Sequence, residues 1–248
     1  MAVLTSQADL TALRRSGKIL ADSLRATIAA VRPGISTIAL NEVAENTIRE
    51  LGGRPSFLGH RNFPAALCVS INHEVVHGIP RADRKVQTGD LVGLDLGVVV
   101  GGIFTDHAVT VGAGTITTED QRLLDDTREA MLVGIAQAIS GKRIGDISAA
   151  IQAALDAHGY GIVRQLTGHG VGRAIHEEPS IPNFGRANTG PMIVPGMVLA
   201  IEPMVTRGGW AVETADDGWT VVTADRSRAA HFEHTILVTD GDPEIITA

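Results

Sequence analysis

The chain has 248 residues, 44% of them hydrophobic, which is enough for a sizeable core in one large domain or two small ones. Its formal net charge is −7 and it has no long run of Lys or Arg, which excludes a nucleic-acid tail and an anionic-membrane patch. A single cysteine, Cys68, rules out an internal disulfide framework, and the absence of a signal-peptide core or a long apolar run leaves a cytoplasmic, globular protein as the expectation.

Four helices are expected. Residues 7–30 place Leu10, Leu13, Leu20, Leu24 and Ile28 near helical spacing. Residues 37–51 turn Ile38, Val43, Ala44, Ile48 and Leu51 inward and stop at Gly52-Gly53. Residues 118–140 open with Thr118 and Gln121 as a capping box. Residues 147–158 follow Asp146 as N-cap and end at Gly159. Strands rich in Val, Ile and Thr are expected at 65–72, 90–99, 103–112, 161–166, 197–206, 210–214, 219–223 and 231–239.

Two of these stretches repeat. TGDLVGLDLGV (88–98) is similar to PGMVLAIEPMV (195–205), aligning Asp95 with Glu202. DHAVTV (106–111) is similar to EHTILV (233–238), aligning Asp106 with Glu233. A helix pair precedes each hairpin. The chain therefore reads as an α/β (α+β) protein of two helix-helix-hairpin halves about an approximate two-fold axis, around a central antiparallel sheet.

Turns at Val100-Gly101 and at Asp217-Gly218 would place Asp95 opposite Asp106 and Glu202 opposite Glu233. Opposed side chains stand roughly 4.5–5.5 Å apart at Cβ. Leu94, Leu96, Ile201 and Phe232 flank them, so the four acids would lie inside, where their repulsion is stronger. Such a cluster keeps protons at raised pKa or holds cations, and two divalent ions would cancel four carboxylates. His169 in GHGVG, His176 in AIHEEP and His77 in VVHGIP sit in segments punctuated by Gly or Pro near the acidic strands. Oxygen ligands with an imidazole suit Mn, Fe(II), Co or Zn. Paired metals bridged by carboxylates are a recurring hydrolytic centre.

The segments PSFLG (55–59), LCVSINHEVVHGIP (67–80), GDLVGLDLGV (89–98), TDHAVTV (105–111), GHGVG (168–172), HEEPSIPNFG (176–185), GMVLAIEPM (196–204) and DDGWTVVTADRSRAAHFEHT (216–235) resemble the type I methionine aminopeptidases over nearly the whole length. The resemblance implies a pseudo-two-fold "pita-bread" fold, forming one metallopeptidase domain over residues 1–248. It implies a dinuclear site of two divalent metal ions held by Asp95, Asp106, His169, Glu202 and Glu233, with Asp106 and Glu233 bridging. It implies a metal-activated water, Glu202 as proton shuttle, His176 at the oxyanion and His77 on the substrate backbone. The expected reaction is removal of the initiator methionine from nascent polypeptides whose second residue is small, near the ribosome and by a monomer.

Phe57, Phe63, Cys68 and Trp219 match the methionine pocket. Phe57, His60 and Ile175 depart from the family, standing where a cysteine, a tyrosine and an aromatic are common, which bears on pocket shape. Two rival expectations are a proline-specific aminopeptidase of the same fold and a non-catalytic binding relative.

Overall fold

A computed structural model describes residues 3–248. Helix α1 (Gln7–Ala30) starts where the Ser6 hydroxyl accepts from the Asp9 N–H, and it buries Leu13, Leu20 and Leu24. Helix α2 (Thr37–Glu50) starts at Ser36 in the same way and buries Leu40, Ala44 and Ile48. Ser caps suit both starts because the hydroxyl satisfies an N–H that the first turn leaves free.

The second helix pair differs at its ends from expectation. Helix α3 (Thr118–Ile135) is capped by Thr117, which accepts from Asp120 N–H, rather than by a box at Thr118 and Gln121. It stops at Ile135, short of residue 140, because the chain is captured there by another segment. Gly141 N–H donates to the Ile193 carbonyl, and Ile193 N–H donates to the Lys142 carbonyl. Helix α4 (Ile144–Asp156) begins three residues before the expected start. Asp146 lies inside its first turn and accepts from the Arg143 N–H at 2.8 Å, so it caps from within. Among the described residues no helix is long and apolar enough to cross a membrane.

The strands are β1 (Arg54–Pro55), β2 (Leu67–Ile71), β3 (Glu74–Val76), β4 (Leu91–Val100), β5 (Ile103–Gly112), β6 (Gly161–Ile162), β7 (Gly168–Gly170), β8 (Glu177–Ile181), β9 (Val198–Ile201), β10 (Met204–Thr206), β11 (Val212–Thr214), β12 (Val221–Thr223), β13 (Ala229–His231), β14 (His234–Leu237) and β15 (Glu244–Ile245). Among the described residues all pairings are antiparallel, and the strands fall into four sheets rather than one continuous one. The expected strands 197–206 and 231–239 are each interrupted, at 202–203 and at 232–233. Glu202 and Glu233 occupy the interruptions.

The long β4–β5 hairpin packs on α1, and β2 and β4 pack on α1 and α2 around Leu20, Leu40, Ile48, Leu94 and Leu96. Helices α3 and α4 enclose a second core with Leu123, Ile147, Ile151, Leu199 and Ile201. The two halves meet along a seam between β5 and the strands β13 and β14. Glu233 N–H donates to the Ala108 carbonyl at 2.8 Å. On either side a threonine hydroxyl replaces a direct main-chain pair. Thr235 Oγ1 accepts from Asp106 N–H and donates to its carbonyl, both at 2.8 Å. Thr110 Oγ1 accepts from His231 N–H at 2.9 Å and donates to its carbonyl at 3.0 Å.

Candidate metal centre and apolar pocket

The β4–β5 turn is Gly101-Gly102, both in the left-handed region, one residue beyond the expected position. Asp95 therefore stands opposite Ala108, and Asp106 opposite Gly97. A one-residue displacement of a turn slides the register by two and leaves every side chain on its original face. The two acids are diagonal neighbours rather than opposed ones, and still converge. In the other half the ladder runs Ile201↔His234 before the interruption and Met204↔His231 after it. Between these pairs Glu202 falls against Glu233, and Asp217-Gly218 makes the turn, as expected from the sequence.

The structure brings all five expected ligand residues together. Asp95, Asp106 and Glu233 offer oxygens within 4.8 Å of one another, and so do His169, Glu202 and Glu233 with their nitrogen and oxygens. Asp106 also groups with His169 and His176 at that distance. His169 is set on β7 between β8 and β9, where only glycine neighbours fit. A Cβ on Gly168 would meet the Ala200 carbonyl oxygen at 2.5 Å, and one on Gly170 the Glu178 carbonyl oxygen at 2.2 Å. Its Nδ1–H donates to the Gly170 carbonyl at 2.9 Å, so Nε2 carries a lone pair. That nitrogen lies 3.2 Å from Glu202 Oε1. Two acceptors at this distance require a proton or a cation between them.

Electrostatics agree. On the protein's own charges, burial pushes Glu202 up to about 7, against the pull of His169. Burial raises Asp95 to about 6; His231 opposes this and Glu202 adds to it. Asp106 and Glu233 are driven well above the carboxylate range, by burial first and by the neighbouring acids second. Asp95 Oδ1 and Glu233 Oε1 are buried without any hydrogen-bond donor. Buried acceptors are normally paired. Orphaned carboxylate oxygens facing one another, with an imidazole lone pair, are a donor set that fits divalent cations.

Beside the acids opens a cavity of about 270 Å³. Phe57, Phe63, Cys68 and Ile175 are buried together in one apolar cluster at its wall, and Trp219 packs against them. The Trp219 ring meets Phe63 edge-on at 5.1 Å. Burial pushes the Cys68 thiol up, with the charges of Asp95, Asp106 and Glu233 adding to it, so it stands there as a small apolar group. His77 enters with φ +60°, a left-handed backbone that a non-glycine residue adopts at a cost. Burial lowers its ring to about 4, with His231 adding to the effect. His176 is exposed, 4.5 Å ring to ring from His169. The inner part of its ring is nonetheless withdrawn from water, and this partial desolvation, with its histidine neighbours, lowers it to about 3.

Sequence reasoning missed three participants. His231 Nε2 is buried 3.6 Å from Glu202 Oε2. Its position two residues before Glu233 on an extended stretch was the available signal. Asn183, fully buried, donates through Nδ2 to the Glu202 carbonyl at 3.0 Å, which the strand interruption leaves free. His107 Nδ1–H donates to the Glu233 carbonyl and its ring stacks on His234 at 4.4 Å. No local pattern distinguishes Asn183 from a loop asparagine.

Acids from two similar half-folds, an imidazole and an apolar pocket define a metallopeptidase: residues 11–240 match metallopeptidase family M24, and the chain belongs to that family. It is similar to the methionine aminopeptidase of Clostridium perfringens, 44% identical over 100% of this chain and 99% of that protein. To methionine aminopeptidase 1 of Mycobacterium tuberculosis it is 45% identical, over 98% and 93%. The crystal structure of methionine aminopeptidase from Thermotoga maritima superposes with a TM-score of 0.98 at 39% identity, covering 100% of this chain and 99% of that one. Prolidase from Pyrococcus furiosus shares the fold, with a TM-score of 0.81 at 20% identity over 66% of its length. The expected pita-bread fold is the fold found.

Proposed function

We propose that the chain removes the N-terminal methionine of peptides and nascent polypeptides whose second residue is small, at a centre of two divalent metal ions. The observation that carries this reading is the apolar cavity of Phe57, Phe63 and Trp219 opening directly onto four converging carboxylates. A thioether side chain suits such a pocket, because sulfur packs favourably against aromatic edges. Full-length similarity to methionine aminopeptidases supports the substrate.

Asp95 would hold one ion, His169 and Glu202 the other, with Asp106 and Glu233 shared. Ions bound there supply Lewis-acid polarisation of the scissile carbonyl and of the attacking water. Glu202, beside the bound ions and 3.2 Å from His169 Nε2, is placed to accept a proton from the attacking water and return it to the leaving amine. His176, kept neutral, donates an N–H to the developing oxyanion. His77, fixed by its strained backbone, holds the peptide amide at the pocket rim. Phe57 lines the cavity and Ile175 packs in the apolar cluster behind it, which bears on the shape of the pocket.

A panel of Met-X peptides assayed with Mn, Fe(II), Co and Zn tests this. Release of methionine is expected when X is Gly, Ala or Ser, and not when X is large. Cleavage confined to peptides with proline in second place would replace the reading with a proline-directed one.

A further inference from the structure

His60 is the pocket residue that the reaction leaves without a task. Its ring lines the cavity, and its Nε2 is buried with no hydrogen-bond partner. Burial, together with the charge of Arg61, lowers its pKa, so the ring is neutral and offers a lone pair. Its ring partner is His176, 5.7 Å away between centroids and tilted by 47°. No described residue hydrogen-bonds a ring nitrogen of His176. Its exposed position leaves room for water to complete a coordination shell.

We propose that His60 and His176 form a third metal site, for a borderline-soft divalent ion such as zinc, and that its occupation inhibits the enzyme. Zinc binds imidazole nitrogen at about 2.0–2.1 Å and accepts open tetrahedral shells completed by water. Two imidazoles whose centres are 5.7 Å apart leave space for one such ion between them. Two neutral nitrogens discriminate against hard cations such as magnesium, which want oxygen. The Arg61 guanidinium opposes a cation here, so the site is weaker than the carboxylate centre. Zinc at this site takes up His176 and stands in the cavity beside the methionine wall. The inhibition rests on the role proposed for His176; the site itself does not.

Zinc alone is titrated into demetallated native protein and into His60→Phe and His60→Asn, and the bound equivalents are counted. The native protein is expected to bind one more equivalent than either variant, and more weakly than the others. Each protein, loaded for activity, is then assayed against rising zinc. Losing outer partners of a metal already costs about tenfold in affinity, so losing a ligand should raise half-inhibiting zinc by at least that factor. Magnesium should not inhibit any of them. The Asn variant keeps a planar polar group, which separates a loss of ligation from a loss of packing. Equal counts in all three proteins, whatever number the carboxylate centre takes, overturn the site. Equal zinc inhibition in native and variant enzymes overturns its role.

Discussion

Glu202 is the side chain on which the contacts of the candidate centre converge. Its oxygens lie 3.2 Å from His169 Nε2 and 3.6 Å from His231 Nε2, and its carbonyl is held by Asn183. Glu202→Gln keeps the shape and removes the proton acceptor. Turnover should fall about 10²-fold or more, with the smaller change in KM. Steady-state kinetics with a Met-Ala peptide check this, and native turnover would remove Glu202 from that role. The acids were legible in the sequence because burial of four carboxylates is too costly to be accidental. Asn183 was not, since its importance comes from a carbonyl that only the folded chain leaves unpaired.

At the scale of elements, the β4–β5 hairpin was legible almost to the residue, because alternating Val, Ile and Thr around a Gly-Gly turn leaves few other solutions. The pieces missed were β1, β3, β7, β8, β13 and β15, most of them only two or three residues long. Segments that short carry no periodicity to detect. The interruptions at 202–203 and 232–233 were equally hidden, since apolar neighbours continue smoothly through them. Close packing within the hairpin makes its own prediction. A Cβ at Gly97 would meet Ser56 Oγ at 2.0 Å and Phe57 Cε1 at 2.8 Å. Gly97→Ala should therefore push Phe57 into the methionine pocket. We expect a raised KM for Met-peptides and a stability loss of about 1–3 kcal/mol from overpacking. Peptide kinetics and urea unfolding measure the two; an unchanged KM would show that Phe57 does not shape the pocket.

For the whole molecule, the buried acids and the buried histidines pull stability in opposite directions with pH. Asp95 near 6 and Glu202 near 7, with Asp106 and Glu233 raised as well by burial and by their acid neighbours, keep protons that the unfolded chain has already released. Raising the pH through about 6 to 7 and above should therefore destabilise demetallated protein. Below the ordinary histidine value of 6.5 the sign reverses for the imidazoles. His77 and His234 are lowered to about 4, and His107 and His176 to about 3, so the unfolded chain takes up protons that the fold refuses. Melting temperatures across pH, with and without metal, test both limbs. Metal at about a hundred times its Kd should raise the melting point by roughly 5–10 °C and abolish the alkaline decline. A decline that persists with metal would mean that the acids are not its ligands.

The seam closed by Thr110 and Thr235 lies at the same place as the chemistry. Asp95 and Asp106 belong to one side of it, and Glu202 and Glu233 to the other, with some hundred residues of chain between. Neither side owns a complete centre. On the proposed ligand set, a copy still being synthesised lacks part of the centre until Glu233 has been added and the two sides have docked. On that reading an unfinished molecule cannot cut and is harmless to the chain ends around it.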